Sequence, residues 1–511
     1  MPARRATPRR RTSPASASKC ALANSFAGGD PEGARLCWAG HWRIDMSFVE
    51  EPVSVGGVKG VTFSDPEVRR CPFPTYHQLR AECPVYQDPV SGNYVLTRYE
   101  DVRRAVLNKS LSAKTGVIQT RKSSISDQVD RMYEEQGYLP VDTLVTNDPP
   151  SHRHFRVLVD KAFTREKVTG LDPQIEASVA ELIESFADEP EIDFFERFAM
   201  RLPMTVFTDI LGTTDRDLAK FKRWTEMSLE SSNPVLTPER ELQIVPHVIE
   251  LQRFLAANAE RVMAQPDDSL LSTIANAQVD GRSLTMQELV SILFLLFLAG
   301  GETTANALSG GIKLLIDKPE LADMIRDDPV KMDAFIEETL RIMAPATVMF
   351  RRATEPLTIG DVAIPENAII ETRFGAANLD PEVFPDPEAV NLERPNGRAH
   401  LTFGAGIHMC IGNQLARGEL RAAFGQLVRR FKNFRASRGE ASYEYTTTYV
   451  ATALRNCGSA STNADRRATG GSRPCVMRSQ PRSRSQPRDG WVSPHHATPP
   501  ANSPVKLGEP S

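Results

Sequence analysis

The segment LTFGAGIHMCIGNQLARGEL, residues 401–420, puts a cysteine where an ionised sulfur could do chemistry. Gly404 and Gly406 allow backbone conformations that other residues resist, so the loop can pass close to a flat object. From Leu415 onward apolar residues recur at three- and four-residue spacing, the pattern of an amphipathic helix. Cys410 thus falls at a helix N-terminus, where free N–H groups and the positive dipole end favour a thiolate. Such a thiolate could be a nucleophile, a metal ligand or nothing at all. No matched His–Asp arrangement accompanies it, which weakens nucleophilic catalysis. His408 with Cys410 makes a weak zinc site, because structural zinc takes four ligands at recognised spacings and no second pair is nearby.

A second candidate is AGGETTANA, residues 299–307, inside the most apolar helix of the chain. Thr285 and Glu288 have capping-box spacing, and Leu284 with Leu289 can form a hydrophobic staple. The helical pattern runs to Pro319, roughly 32 residues or ~48 Å at 1.5 Å per residue. Gly300 and Gly301 each cost about 1 kcal/mol relative to alanine, and Glu302, Thr303 and Thr304 add a burial cost. Close approach of another helix, with threonines bonded back to the preceding turn, would explain the stretch structurally. Three broken rules within five residues favour function. A third candidate, EETLR at 337–341, follows a helix start at Asp328-Pro329. Glu338 and Arg341 share one face and, taken alone, read as a solvated ion pair.

The elements that must position these groups are mostly helical. Strand-like pieces such as GNYVLTRY (92–99) alternate with helices at the front, and 150–345 reads almost wholly as helix. A turn-rich segment occupies 346–400, and strand-like YEYTTTYVATAL follows the cysteine helix. The fold class expected is mainly α with a smaller β portion, in one large domain over residues 46–456. The flanks differ in composition. Residues 1–45 and 457–511 each carry eight Lys/Arg against three Asp/Glu, so each is +5 and the core about −14. Rich in Arg, Ser, Pro and Gly, both read as disordered basic extensions that cannot bury enough surface to fold. Met46 reads as the natural start, in preference to a transit peptide or a nucleic-acid-binding arm; no nucleic acid partner is expected. The longest apolar run, SILFLLFLAG, is too short for a membrane span, so no transmembrane anchor is expected. Seven scattered cysteines without a C-x-x-C pair argue for a reducing, cytoplasmic compartment.

Together these segments resemble the cytochrome P450 family of haem-thiolate monooxygenases, over roughly residues 60–455. Phe403-Gly404-x-Gly406-x-His408-x-Cys410-x-Gly412 matches the family's haem-binding loop. Ala299-Gly300-x-Glu302-Thr303-Thr304 matches its oxygen-activating segment, and Glu338-x-x-Arg341, with Arg394, its charge cluster. His152-x-x-x-Arg156 after DPPS matches the helix that holds a haem propionate.

The resemblance implies a helix-rich triangular prism with haem b between the central helix and the cysteine helix, Cys410 ligating the iron. It implies His152, Arg156, Arg351 and His408 as propionate partners and Glu302 and Thr303 as the proton relay to O2. Glu338, Arg341 and Arg394 would be structural. Leu296, Ala299, Gly300, Ala346, Thr347, Val348, Met349 and Tyr449 would line a pocket for a small apolar substrate. No flavin or dinucleotide fingerprint accompanies the haem segment. Electrons would therefore come from a separate iron–sulfur ferredoxin, docking at Arg156, Arg417 and Arg421 of a monomer. A gas sensor would not need Glu302-Thr303, and peroxide-driven relatives typically lose them. Two departures stand out: Pro356 replaces a common acid, and Asn456-Cys457-Gly458-Ser459 opens a basic tail where the family usually has a short apolar strand.

Overall fold

The computed structural model describes residues 60–115, 124–213, 215, 217–231, 236–437, 443–447 and 452–463. The 1–45 extension, the C-terminal stretch beyond Asn463 and the pocket candidate Tyr449 lie outside the described residues. The central helix spans Met286–Asp317, 32 residues, as its sequence pattern predicts. Its start is locally encoded. Thr285 Oγ1 accepts from the Glu288 N–H at 3.2 Å, and Glu288 Oε2 accepts from the Thr285 N–H at 2.9 Å. Leu284 and Leu289 are both buried, completing the staple.

Around this helix the largest apolar core assembles. Ile312 and Leu315 belong to one buried cluster with Phe335, Ile336 and Leu340 of the helix Pro329–Ile342, and Leu420, Phe424 and Leu427 of the cysteine helix Asn413–Arg430. Close approach of helices occurs at a second glycine pair that the sequence reading passed over. A Cβ at Gly310 would lie 2.7 Å from Met343 Cβ, and one at Gly311 would lie 2.2 Å from Phe424 Cζ. At Gly300 and Gly301 a Cβ would meet nothing within 4 Å, so packing does not explain that pair. One helix among the described residues is long and apolar enough to cross a membrane; it is this one, and it is largely enclosed by protein.

The β portion is split front and back, as expected. A five-stranded sheet runs, in spatial order, Val85–Gln87, Tyr94–Leu96, Ile369–Thr372, Met349–Ala353 and Leu111–Ser112. All its pairings are antiparallel except Tyr94–Leu96 with Ile369–Thr372. The last strand, Thr452–Asn463, pairs with Tyr443–Thr447, with Phe431–Ala436 and with Ile192–Asp193. The domain boundary expected at 456 is therefore corrected: the strand continues through Asn463. Backbone ladder bonds to these three strands do not require the apolar side chains that Asn456-Cys457-Gly458-Ser459 lacks. The helical reading of 150–345 also missed a hairpin, Gln278–Val279 with Arg282–Ser283, closed by Asp280-Gly281 at positive φ. Cys71 is disulfide-bonded, whereas Cys83 and Cys410 are free thiols.

Candidate active site

The Cys410 loop is built by its glycines. Gly404 and Gly406 have φ of +68° and +69°, a region in which side chains are strained. Gly406 also packs so closely that a Cβ there would lie 2.8 Å from Leu107 Cδ2. The loop closes on itself: the Cys410 N–H donates to Phe403 O at 2.8 Å, and Asn413 Nδ2 donates to Cys410 O at 2.7 Å. The helix proper starts at Asn413, with Gly412 as its cap, so Cys410 precedes the first turn rather than lying within it. Burial pushes the thiol up, while the Gly412 N–H and the charges of Arg156 and Arg417 pull it down; burial dominates.

Four basic side chains converge beside this loop. The His152 and His408 rings lie 4.4 Å apart, centroid to centroid. Burial, then the charges of Arg351 and His152, push His408 down to about 4. Burial and Arg156 lower His152, and burial lowers Arg351; Asp148 acts in the opposite direction on both. The Asp148 carboxylate meanwhile accepts from Ser112 Oγ and the Ala113 N–H. His408 Nδ1 is buried without a hydrogen-bond partner. Arg156 donates to Met409 O at 2.8 Å and to Asp160 at 2.9 Å. Asp148 and Asp160 thus oppose the charge of the two arginines, and the buried, unpartnered His408 Nδ1 is the atom that an anion or other polar group would complete.

On the central helix, Ala299 and Gly300 are exposed although they lie mid-helix in the core. Glu302 and Thr304 are buried, and Thr303 Oγ1 donates back to Ala299 O at 2.6 Å. Among the pocket candidates Leu296, Ala346, Thr347 and Met349 retain accessible surface. Val348 retains none, so its assignment to the pocket wall is corrected: it faces protein. Thr347 also bonds the phenol of buried Tyr76.

The Glu338 cluster is not the solvated pair that local spacing suggests. Glu338 takes Arg341 on both oxygens at 2.7 and 2.9 Å, Arg394 Nε at 3.0 Å and the Asn391 N–H at 2.9 Å. All three charged side chains are at most 3% exposed. The arginines expected at a docking surface each have an acidic partner within the chain. Arg417 is held internally by Glu337 with 15% of its side chain exposed, and Arg421, half exposed, is paired with Asp333. The partner of Arg417 lies on another helix 80 residues earlier, so no local signal marks it.

This arrangement has known relatives. The cytochrome P450 family model matches residues 92–447. The chain is 34% identical to 6-deoxyerythronolide B hydroxylase of Saccharopolyspora erythraea, over 69% of this chain and 88% of that one. It is 31% identical to vitamin D(3) 25-hydroxylase of Pseudonocardia autotrophica, over 70% and 85%. The solved structure of cytochrome P450 CYP109Q5 from Chondromyces apiculatus superposes with a TM-score of 0.69 at 27% identity, covering 79% of this chain and 98% of that one. The chain belongs to the cytochrome P450 family. It is accordingly a haem-dependent monooxygenase, an oxidoreductase that uses O2.

Proposed function

We propose that this monooxygenase holds haem b through Cys410 and hydroxylates a C–H bond of a compact apolar substrate, using electrons from a separate iron–sulfur ferredoxin. When bound, haem supplies the binding and reductive activation of O2 that no side chain can perform. The observation that carries the reading is the convergence of His152, His408, Arg351 and Arg156 beside the Cys410 loop, with His408 Nδ1 buried and unpartnered. Two propionates would accept hydrogen bonds from these side chains, and His408 Nδ1 would gain its partner. Cys410 would ligate the iron, with the Gly412 N–H bonded to its sulfur. Phe403, Gly404 and Gly412 shape the loop for a flat group, since bulk at Gly404 would strain the backbone.

Open space at Gly300 admits a small molecule against the helix. Because the Thr303 hydroxyl spends its proton on Ala299 O, its lone pairs are left to hold a proton-bearing water, with buried Glu302 as proton source. Glu338, Arg341 and Arg394 brace the chain on the cysteine side. Leu296, Ala299, Ala346 and Met349 suit an apolar ligand, and the related hydroxylases act, by name, on a deoxyerythronolide and on vitamin D(3). With Arg417 held by buried Glu337, the ferredoxin would meet exposed apolar Ile407 and Met409, rimmed by Arg156. Dependence on such a donor fits a cytoplasmic setting. The test is an optical titration of the holoenzyme with macrolactone and secosteroid ligands against charged analogues. Spectral shifts with the apolar set alone are expected; shifts with the charged set alone would overturn the substrate class.

A further inference from the structure

We propose that Arg417, anchored by Glu337, is a positioning residue that brackets both ends of the Cys410 loop and sets how strongly its sulfur donates. This rests on the reading of Cys410 as the iron ligand. At one end the guanidinium lies 4.5 Å from the Phe403 ring centroid, and Phe403 O accepts the Cys410 N–H at 2.8 Å. At the other end Arg417 Nη1 donates to Asn413 Oδ1 at 3.1 Å, and Asn413 Nδ2 donates to Cys410 O at 2.7 Å. The anchor is bidentate: Nε and Nη2 donate to the two Glu337 oxygens at 2.7 and 3.0 Å. Glu337 is buried and also takes His400 Nε2 at 3.0 Å and Arg398 at 3.4 Å. Arg417 thus uses the edge and a face of its planar fork at once, which lysine cannot reproduce.

A fixed cation near the sulfur holds electron density there and weakens its donation to iron, which makes reduction easier. Glu337 opposes that effect. Neutralising either partner therefore has opposite consequences, whereas simple damage to the loop acts one way in both. Spectroelectrochemical titration of the holoenzyme reads this directly, with the ferrous–CO spectrum as a check on the ligand. Arg417→Gln should lower the one-electron reduction equilibrium about tenfold, a shift of ~59 mV. Glu337→Gln should raise it, and Arg417→Lys should fall between Arg417→Gln and wild type. Shifts of the same sign, or none, with the thiolate-type ferrous–CO band intact would overturn the proposal. If Arg417→Gln takes up no haem, Glu337→Gln decides alone: a rise supports the proposal and an unchanged potential overturns it. Absence of the thiolate band in the wild type would instead remove the underlying assignment of Cys410.

Discussion

Adding one methyl group at Gly311 and at Gly300 should have opposite effects, although both glycines sit in the same helix. A Cβ at Gly311 would lie 2.2 Å from Phe424 Cζ and 2.9 and 3.0 Å from the neighbouring ring carbons. Optimal carbon–carbon contact is about 3.5–4.0 Å. Phe424 cannot retreat easily, because it has no exposed surface and packs edge-on against Phe335 at 5.2 Å. Overpacking of this kind costs roughly 1–3 kcal/mol, and this contact belongs at the upper end. The better helix propensity of alanine returns about 1 kcal/mol. Gly311→Ala should therefore lose about 2 kcal/mol net, whereas Gly300→Ala, with nothing to strike, should gain about 1 kcal/mol. Urea unfolding of the two full-length variants, compared through midpoints at equal slope, measures the gap of ~3 kcal/mol. Equal midpoints would refute the assignment of one pair to packing and the other to open space.

Glu419 is fully surrounded by protein, and burial pushes its carboxyl up to about 8. The folded state then keeps a proton that the unfolded chain releases, so stability falls as pH rises from the ordinary carboxylate range to about 8. Glu419→Gln should flatten that fall and be more stable by roughly 3 kcal/mol at pH 7, and parallel pH profiles for the two proteins would refute the burial argument. Glu338→Gln leaves Arg341 and Arg394 buried with less counter-charge and should cost about 3–5 kcal/mol, seen as loss of folded holoenzyme; wild-type thermal stability would contradict it. Thr303→Ala should consume reductant while diverting more of it to hydrogen peroxide. Unchanged coupling on a good substrate would place the proton relay elsewhere.

What the sequence discloses tracks how local the physics is. The start of the central helix is readable because a capping box and staple lie within six residues. The Cys410 loop is readable because its glycines must adopt positive φ. Glu338 and Arg341 show only their spacing. Their burial comes from Arg394 and from carbonyls of Asn378 and Ala389, which reach them through the tertiary fold. Glycine pairs look alike in a helix, and only a neighbour such as Phe424 separates Gly310-Gly311 from Gly300-Gly301. Arg417 looks like a surface cation on its helix until Glu337 is brought against it. The hairpin at 278–283 did carry a signal, Asp280-Gly281, which the surrounding helical pattern obscured.

The central claim is that Cys410 supplies the thiolate to the haem iron, and Cys410→Ser tests it most directly. Wild-type holoenzyme, reduced under CO, should show the red-shifted absorption of a thiolate-ligated haem, and the serine variant should lack it while keeping the fold. Retention of that absorption by Cys410→Ser would contradict the account, because another cysteine would then be the ligand.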